Sequence, residues 1–531
     1  MIKALLGVRL ASLFDSLLGK GERSVGKTVL MSFLYLYVLV VGVGMSALMA
    51  IVSGTAMISL GLGAHFLAIF LLADFAMLFV LSIFETKSQL FDCKDNDLVF
   101  SMPIPQNAIL ISRILTVLII NLAISLVVML PAAILYLVQT LDWVGFVGSL
   151  IFAIITPAVS TALSAGFGYI IAYFSKRTRH GTLITVLASL LFIGIYFYFY
   201  IKLFTAPKDT FENLGELIAS FSRAMPFLAA VSNAVLLKPL EFSIFFIGSI
   251  AVSALAYAIL SRFYMAVATD VGGTRRTEYM PKRAVANSSL IALLKKEYEK
   301  ILSSSVYLLN AGFGMIIRVA LSILAIVKTN ELRAVIASLA PQIEGVSEGG
   351  LVAFFVTVAT VALSSMDMYS ASAVSLEGKN LWIVKSLPLS SRTVLFSKTL
   401  AHASLAGVAS LITATLLLIA AGGDALAWLI ALPNSALISL CFAIFGTVIN
   451  VALPKFDFEN DTQVVKQSLA TLVVMLGQML FAMLVLVGGF FIIKFVGAYA
   501  AALIVLILNI LTFLSLYFIL IKVSVPRFAK L

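Results

Sequence analysis

The chain has 531 residues, 62% of them hydrophobic and only 11% charged, with a formal net charge of +11. Soluble domains carry roughly half apolar and a quarter charged residues, so this composition excludes an ordinary water-soluble enzyme and places the chain in lipid. Nor does the positive charge point to nucleic acid, because in so apolar a chain basic residues collect in loops on the cytoplasmic face.

Met1 to Lys27 is a mixed segment with five basic residues and no small-residue cleavage site, so no removable signal peptide is expected. Leu5, Leu6, Leu10, Leu13 and Leu17 oppose Lys3 and Arg9, which predicts an amphipathic helix lying in the membrane interface. Apolar blocks long enough to cross about 30 Å of hydrocarbon as helices then predict spans at 28–50, 64–84, 114–138, 146–174, 181–201, 242–261, 306–327, 350–370, 399–421, 428–452, 467–491 and 497–521. Continuous apolar blocks, rather than short alternating ones, exclude a barrel. With the N-terminus inside, 28 of the 36 lysines and arginines fall in cytoplasmic tails and loops, which fixes the expected orientation: a multi-pass membrane protein with both termini cytoplasmic. Of the two cysteines, Cys93 falls in a cytoplasmic loop and Cys441 within a span, so no disulfide framework is implied.

Two loops share a pattern at a constant spacing of 285 positions. Asp92 to Arg113 reads DCKDNDLVFSMPIPQNAILISR and Glu377 to Lys398 reads EGKNLWIVKSLPLSSRTVLFSK. Asp92 meets Glu377, Lys94 meets Lys379, Ser101 meets Ser386, Pro103 meets Pro388 and Arg113 meets Lys398. The two loops also hold the same rank in each set of six spans, which points to duplication. A polar stretch, 266–287, divides the halves and leads into SSLIALLKKEYEKIL, Ser288 to Leu302. Ser288 or Ser289 can cap this second amphipathic helix, in which Leu290, Leu293, Leu294 and Ile301 oppose Lys295, Lys296 and Lys300. The expected fold is therefore all-α: about twelve transmembrane helices in two parallel six-helix repeats, 1–265 and 288–531, each preceded by an interfacial helix. Six being even, both halves enter the membrane in the same sense.

These loops, the segment KKEYEKILSSSVYLLN from Lys295 to Asn310, and PKFDFENDTQVVKQ from Pro454 to Gln467 together resemble the permeases of type-two ATP-binding-cassette (ABC) exporters. The similarity is to the fused, double-length permeases of Gram-positive bacteria and covers essentially the whole chain. The first-half counterpart of the Pro454 loop, Lys176 to Gly181, is short and basic and departs from the pattern. The resemblance implies coupling helices that seat two cytoplasmic ABC ATPase subunits, with ATP and magnesium bound there and no cofactor on this chain. It implies export of an unidentified hydrophobic or amphipathic substrate. Docking would fall to Asp92, Lys94, Asp95, Asp97 and Pro103 in the first loop and Glu377, Lys379, Asn380 and Pro388 in the second; alternatively each loop is a solvated hairpin.

No G-x-x-x-x-G-K-[ST] loop is present to cradle phosphates, so a transport subunit without its own ATPase site is expected. His65, His180 and His402 are widely separated, make no metal pattern and read as interfacial. Asp74, Arg318 and Asp367 fall in or beside spans, where a charge costs about 2.5–3.5 kcal/mol and should face the bundle interior. They form a candidate intramembrane polar site and motivate the alternatives, an ion-coupled secondary transporter or an integral membrane enzyme or scaffold.

Overall fold

In a computed structural model of the chain, the residues described are 2–18, 25–91, 93, 95–177, 185–187, 191, 194, 226–269, 288–342, 346–458 and 461–531, and among them there is no strand. The protein is a polytopic all-α membrane protein. Among the described residues, eleven helices are long and apolar enough to span a bilayer. They match every expected span except the fifth, 181–201, most of which lies outside the described residues, as does nearly all of the 266–287 linker. The chain divides into two compact units, Met1–Glu278 and Tyr279–Leu531.

The first unit contains α1 (Ile2–Leu18), α2 (Val25–Ser59), α3 (Gly63–Thr86), α4 (Asn96–Ser101), α5 (Gln106–Thr140), α6 (Trp143–Arg177), α7 (Pro226–Val235) and α8 (Pro239–Ala268). Lipid tails are as apolar as leucine, so hydrophobicity alone does not join these helices; close packing and polar bonds do. Gly63 and Gly145 illustrate this, since a methyl group at either would lie within 2.7 Å of the Tyr136 ring that packs against them. Tyr136 then donates to Asp142 (2.7 Å) at the α5–α6 turn.

In the second unit the order is α9 (Ser289–Ser303), α10 (Ser305–Val327), α11 (Thr329–Leu339), α12 (Glu348–Ser364), α13 (Tyr369–Ser372), α14 (Leu381–Ser386), α15 (Ser391–Ala421), α16 (Ala425–Ala452), α17 (Asp461–Val465), α18 (Leu469–Val496), α19 (Ala498–Ile519) and α20 (Val525–Lys530). Side-chain caps set several starts: Ser288, Ser347, Ser390, Asp424 and Ser468 each accept from the backbone N–H three residues on. At the other end of α15, Gly422 (φ +77°) closes the helix, and Arg333 of α11 donates to the Ile419 and Ala420 carbonyls (3.0 Å each).

Element boundaries repeat with the spacing seen in the sequence. α1 and α9 end at Leu18 and Ser303, α3 and α12 begin at Gly63 and Glu348, α4 and α14 cover 96–101 and 381–386, and α5 and α15 begin at Gln106 and Ser391, each pair 285 positions apart. Two expectations change. α5 and α15 start eight residues earlier than the apolar blocks beginning at 114 and 399; their first turns carry exposed polar side chains and their second turns end on Ser112 and Arg113, and on Ser397 and Lys398, which are buried in protein. The span expected at 350–370 stops at Ser364, and the break is stitched to α10 by the Met368 N–H, which donates to the Ala311 carbonyl (3.0 Å).

Candidate functional site

The loop before α15 is held from inside by ions. Lys398, 1% exposed and two turns into α15, donates to Glu297 of α9 (2.7 Å), to Glu377 of the loop (2.5 Å) and to the Ala373 carbonyl (3.1 Å). Lys296 and Lys300 of α9 approach the same Glu377 at 3.2 and 3.4 Å. Three cations thus surround two buried carboxylates. Burial and the neighbouring Lys398 charge, opposed by Glu377 and Glu297, push the Lys300 ammonium down to about 8. Gly378 makes the geometry possible: its φ of +54° turns the chain, and a Cβ there would meet the Phe458 ring at 3.1 Å. Below the turn, the Asn450 side chain accepts from the Val374 and Ser375 N–H groups (2.8 and 3.0 Å).

The first unit has a simpler version of this anchor. Arg113, wholly buried at the same point of α5, donates to Asp95 (2.8 Å), to the Leu90 carbonyl (2.9 Å) and to the Tyr264 hydroxyl (2.9 Å). Arg9 of α1 takes the other oxygen of Asp95 at 3.1 Å. In both units the helix preceding the first span, the loop and the third span meet at the loop's carboxylate, Asp95 in the first and Glu377 in the second.

The docking residues expected from sequence divide accordingly. Glu377 is buried and Asp95 is 19% exposed, and both are ion-paired within the protein; a carboxylate beside a buried cation gains more there than in water. Lys379, Asn380, Pro103 and Pro388 are exposed. Asp92 and Lys94 lie outside the described residues, as does the side chain of Asp97, whose backbone is in α4. The short helices α4 and α14 and the residue after each also present large apolar side chains, Leu98 and Met102 at the first and Trp382, Ile383 and Leu387 at the second, beside exposed Ser101, Lys385 and Ser386, with Leu98 62% and Trp382 66% exposed. Leu98 and Met102 stand 285 positions before Ile383 and Leu387.

On α9, Lys295 is exposed as expected, but Lys296 and Lys300 turn toward Glu377 rather than resting only in the interface. Glu297 was missed, although its position carried a signal: it lies on the Leu293 and Ile301 stripe at i+4 intervals, an acid on an apolar face. Arg9, Arg113, Lys398 and Asn450 were also missed as site residues; Arg113 and Lys398 carried one signal, a matched basic pair at the repeat spacing of 285.

Within the membrane, Arg318 and Asp367 form an ion pair (2.8 Å), 0% and 1% exposed, where the span breaks after Ser364. Arg318 also donates to Ser364 (2.8 Å) and to the Ala406 carbonyl (2.6 Å). The two residues therefore come together. Asp74 does not join them: it lies in the first unit, accepts from Ser125 (2.7 Å), and its second oxygen is buried without a hydrogen bond among the described residues. Ser82, Asn121 and Thr161 continue the polar seam at 2.9 and 2.8 Å. His402, expected at the interface, is instead buried, its Nδ1 2.8 Å from the Ser370 hydroxyl; His180 lies outside the described residues. Cys93 and Cys441 are both free thiols. Among the described residues no group of His, Cys, Asp and Glu could hold a metal.

A protein-family profile described as "Membrane protein of 12 TMs" matches residues 24–522. No curated protein and no solved structure matches the chain.

Proposed function

Since the chain belongs to the family described as membrane proteins of twelve transmembrane spans, we propose that it is the permease subunit of an ATP-driven exporter. Separate ABC-type ATPase subunits would dock on α4 and α14 from the cytoplasm and bind the ATP and magnesium. One observation carries this reading: two loops at equivalent positions form the same short helix, and each loop's carboxylate is ion-paired both to a buried cation of the third span and to the helix before its unit's first span, Asp95 to Arg113 and Arg9, Glu377 to Lys398 and Lys296. A free hairpin needs no such fastening, whereas a lever does. A push on α14 reaches α9 and α15 together through Lys398, Glu377 and Glu297, and a push on α4 reaches α1 and α5 through Arg113 and Asp95. The exposed Leu98, Met102, Trp382, Ile383 and Leu387 supply apolar contact area of the kind that dominates protein interfaces.

On this reading the orientation is that of the positive charge, with both termini and both loops cytoplasmic, and the two halves, 1–265 and 288–531, each serve one ATPase subunit. The chain is then a transport subunit and not an enzyme, and its cargo is hydrophobic or amphipathic. The test is affinity purification in mild detergent with native mass measurement. One permease chain with two ATPase subunits is the expected assembly, and recovery of the chain without any ATPase would overturn the proposal.

Asp74 favours a second reading, ion-coupled transport, because a carboxyl oxygen without a hydrogen bond in a span can carry a proton. Transport that continues without ATP and collapses with the proton gradient would select that alternative.

A further inference from the structure

We infer that the docking face of the second unit is composite: α20 completes it beside α14, and together they fit a soluble protein surface that is apolar at its centre and acidic around it. The partner is the ATPase of the exporter reading, on which this inference rests.

A six-residue helix makes too few backbone hydrogen bonds to stand alone, so α14 takes its position from what lies beneath it. Its two buried side chains, Leu381 and Val384, share one apolar cluster with Phe528 of α20, which is 1% exposed. Nearer the surface, Lys385 of α14 donates to the Ala529 carbonyl (3.4 Å), and its ammonium lies 6.0 Å from the centre of the Phe528 ring. Arg527 donates to the Ala452 carbonyl at the end of α16 (2.9 Å). α14 and α20 are thus joined both in the core and at the surface.

The exposed charges of this face have one sign. Lys379 and Lys385 flank the exposed Trp382 and Ile383, and Arg527 and Lys530 are exposed on the helix that Lys385 touches. Neither the stretch 375–390, which includes α14, nor α20 carries an exposed acid, because Glu377 is buried against Lys398. The neighbouring stretch beside Gly378 adds one, Asp457.

Height above the membrane selects a soluble partner over lipid headgroups. α15 begins eight residues before its apolar block at 399, about 12 Å at the helical rise, whereas the headgroup layer is about 5–7 Å deep on each side. Arg527 and Lys530 lie six and nine residues past the apolar block that ends at 521, roughly 9–14 Å by the same measure. Two separate paths of the chain therefore carry α14 and α20 beyond the headgroups. Cations at the rim then steer the encounter, while the apolar centre supplies the affinity.

The permease–ATPase complex, purified in mild detergent, is placed in phosphatidylcholine nanodiscs. A p-benzoylphenylalanine in place of Ala529 should crosslink the ATPase on illumination, whereas the same group in place of Val523, exposed closer to the membrane, should not. Lys385→Gln, Arg527→Gln and Lys530→Gln combined should slow reassociation of the ATPase about tenfold at roughly 0.05 M salt, and less than about twofold at roughly 0.5 M, where the field is screened. A complex that forms without crosslinking at 529, or an association rate indifferent to the three substitutions, overturns the composite face and leaves the exporter reading standing. Crosslinking at 529 to phosphatidylglycerol in place of the ATPase, in discs that contain that lipid, overturns it in favour of headgroup binding. Recovery of the chain with no ATPase at all is a different result: it overturns the exporter reading, and this inference with it.

Discussion

Arg113 and Lys398, 285 positions apart, are each a buried cation two turns into the helix that follows a loop, and each holds that loop's carboxylate, Asp95 at 2.8 Å and Glu377 at 2.5 Å. The pairs differ in partner count: Asp95 is shared by two arginines, whereas Lys398 reaches two acids.

Lys398→Met should destabilise the second unit by roughly 3–5 kcal/mol, because it strands Glu297 as a buried charge and leaves Glu377 only Lys296 and Lys300. Thermal unfolding in detergent would show a lowered midpoint. The double variant Lys398→Met, Glu297→Gln should regain part of the loss, and additivity of the two substitutions would argue against direct coupling.

Replacing Leu98 and Trp382 together with Ala should weaken co-purification of the ATPase by about tenfold or more, a change of about 1.4 kcal/mol. Lys379→Ala should change it less than about twofold, a few tenths of a kcal/mol, since an exposed charge at a rim contributes little affinity. The reverse ranking would move docking from the apolar side chains to the charged ones.

The Lys300 ammonium, pushed down to about 8, should lose its charge near pH 8 in the folded protein but near 10.5 when unfolded. Across that window the unfolded chain binds more protons, so this residue's contribution makes stability rise with pH and level off above the unfolded value. Acylation of Lys300 followed by mass spectrometry should reach half-maximum near pH 8, and Lys300→Met should remove the corresponding rise from the stability profile. A half-maximum near 10.5 would contradict the burial that the structure gives it.

Cysteines placed at the exposed positions Ser347 and Asn380 should be labelled from opposite faces of the membrane, Ser347 from outside and Asn380 only after permeabilisation. The unsubstituted chain gives a low background, because Cys93 and Cys441 are buried, and burial followed by the Asp95 charge pushes the Cys93 thiol up to about 11. Labelling of Asn380→Cys in intact cells would invert the orientation.

Much of the architecture was legible because each span announces itself by length and each repeat by spacing. Ser288 marked a helix start, and the constant spacing predicted matching elements that the structure forms at 96–101 and 381–386. The site was less legible. Whether Asp95 and Glu377 face a partner or the protein depends on cations 18 and 21 residues away and on a separate helix. No local pattern encodes that. The break after Ser364 also escaped notice, since it carries neither Pro nor Gly and is paired with Arg318, 46 residues earlier.

That break has a consequence for evolution. A homodimeric permease must place the same side chain at both symmetry-related positions, so a kink in one copy is a kink in the other. Fusing the halves lifts this constraint: where the second unit interrupts its helix and sets Asp367, the first runs uninterrupted with Ser82. Equivalent positions of the two units can thereby differ in helix continuity, and each can be selected separately.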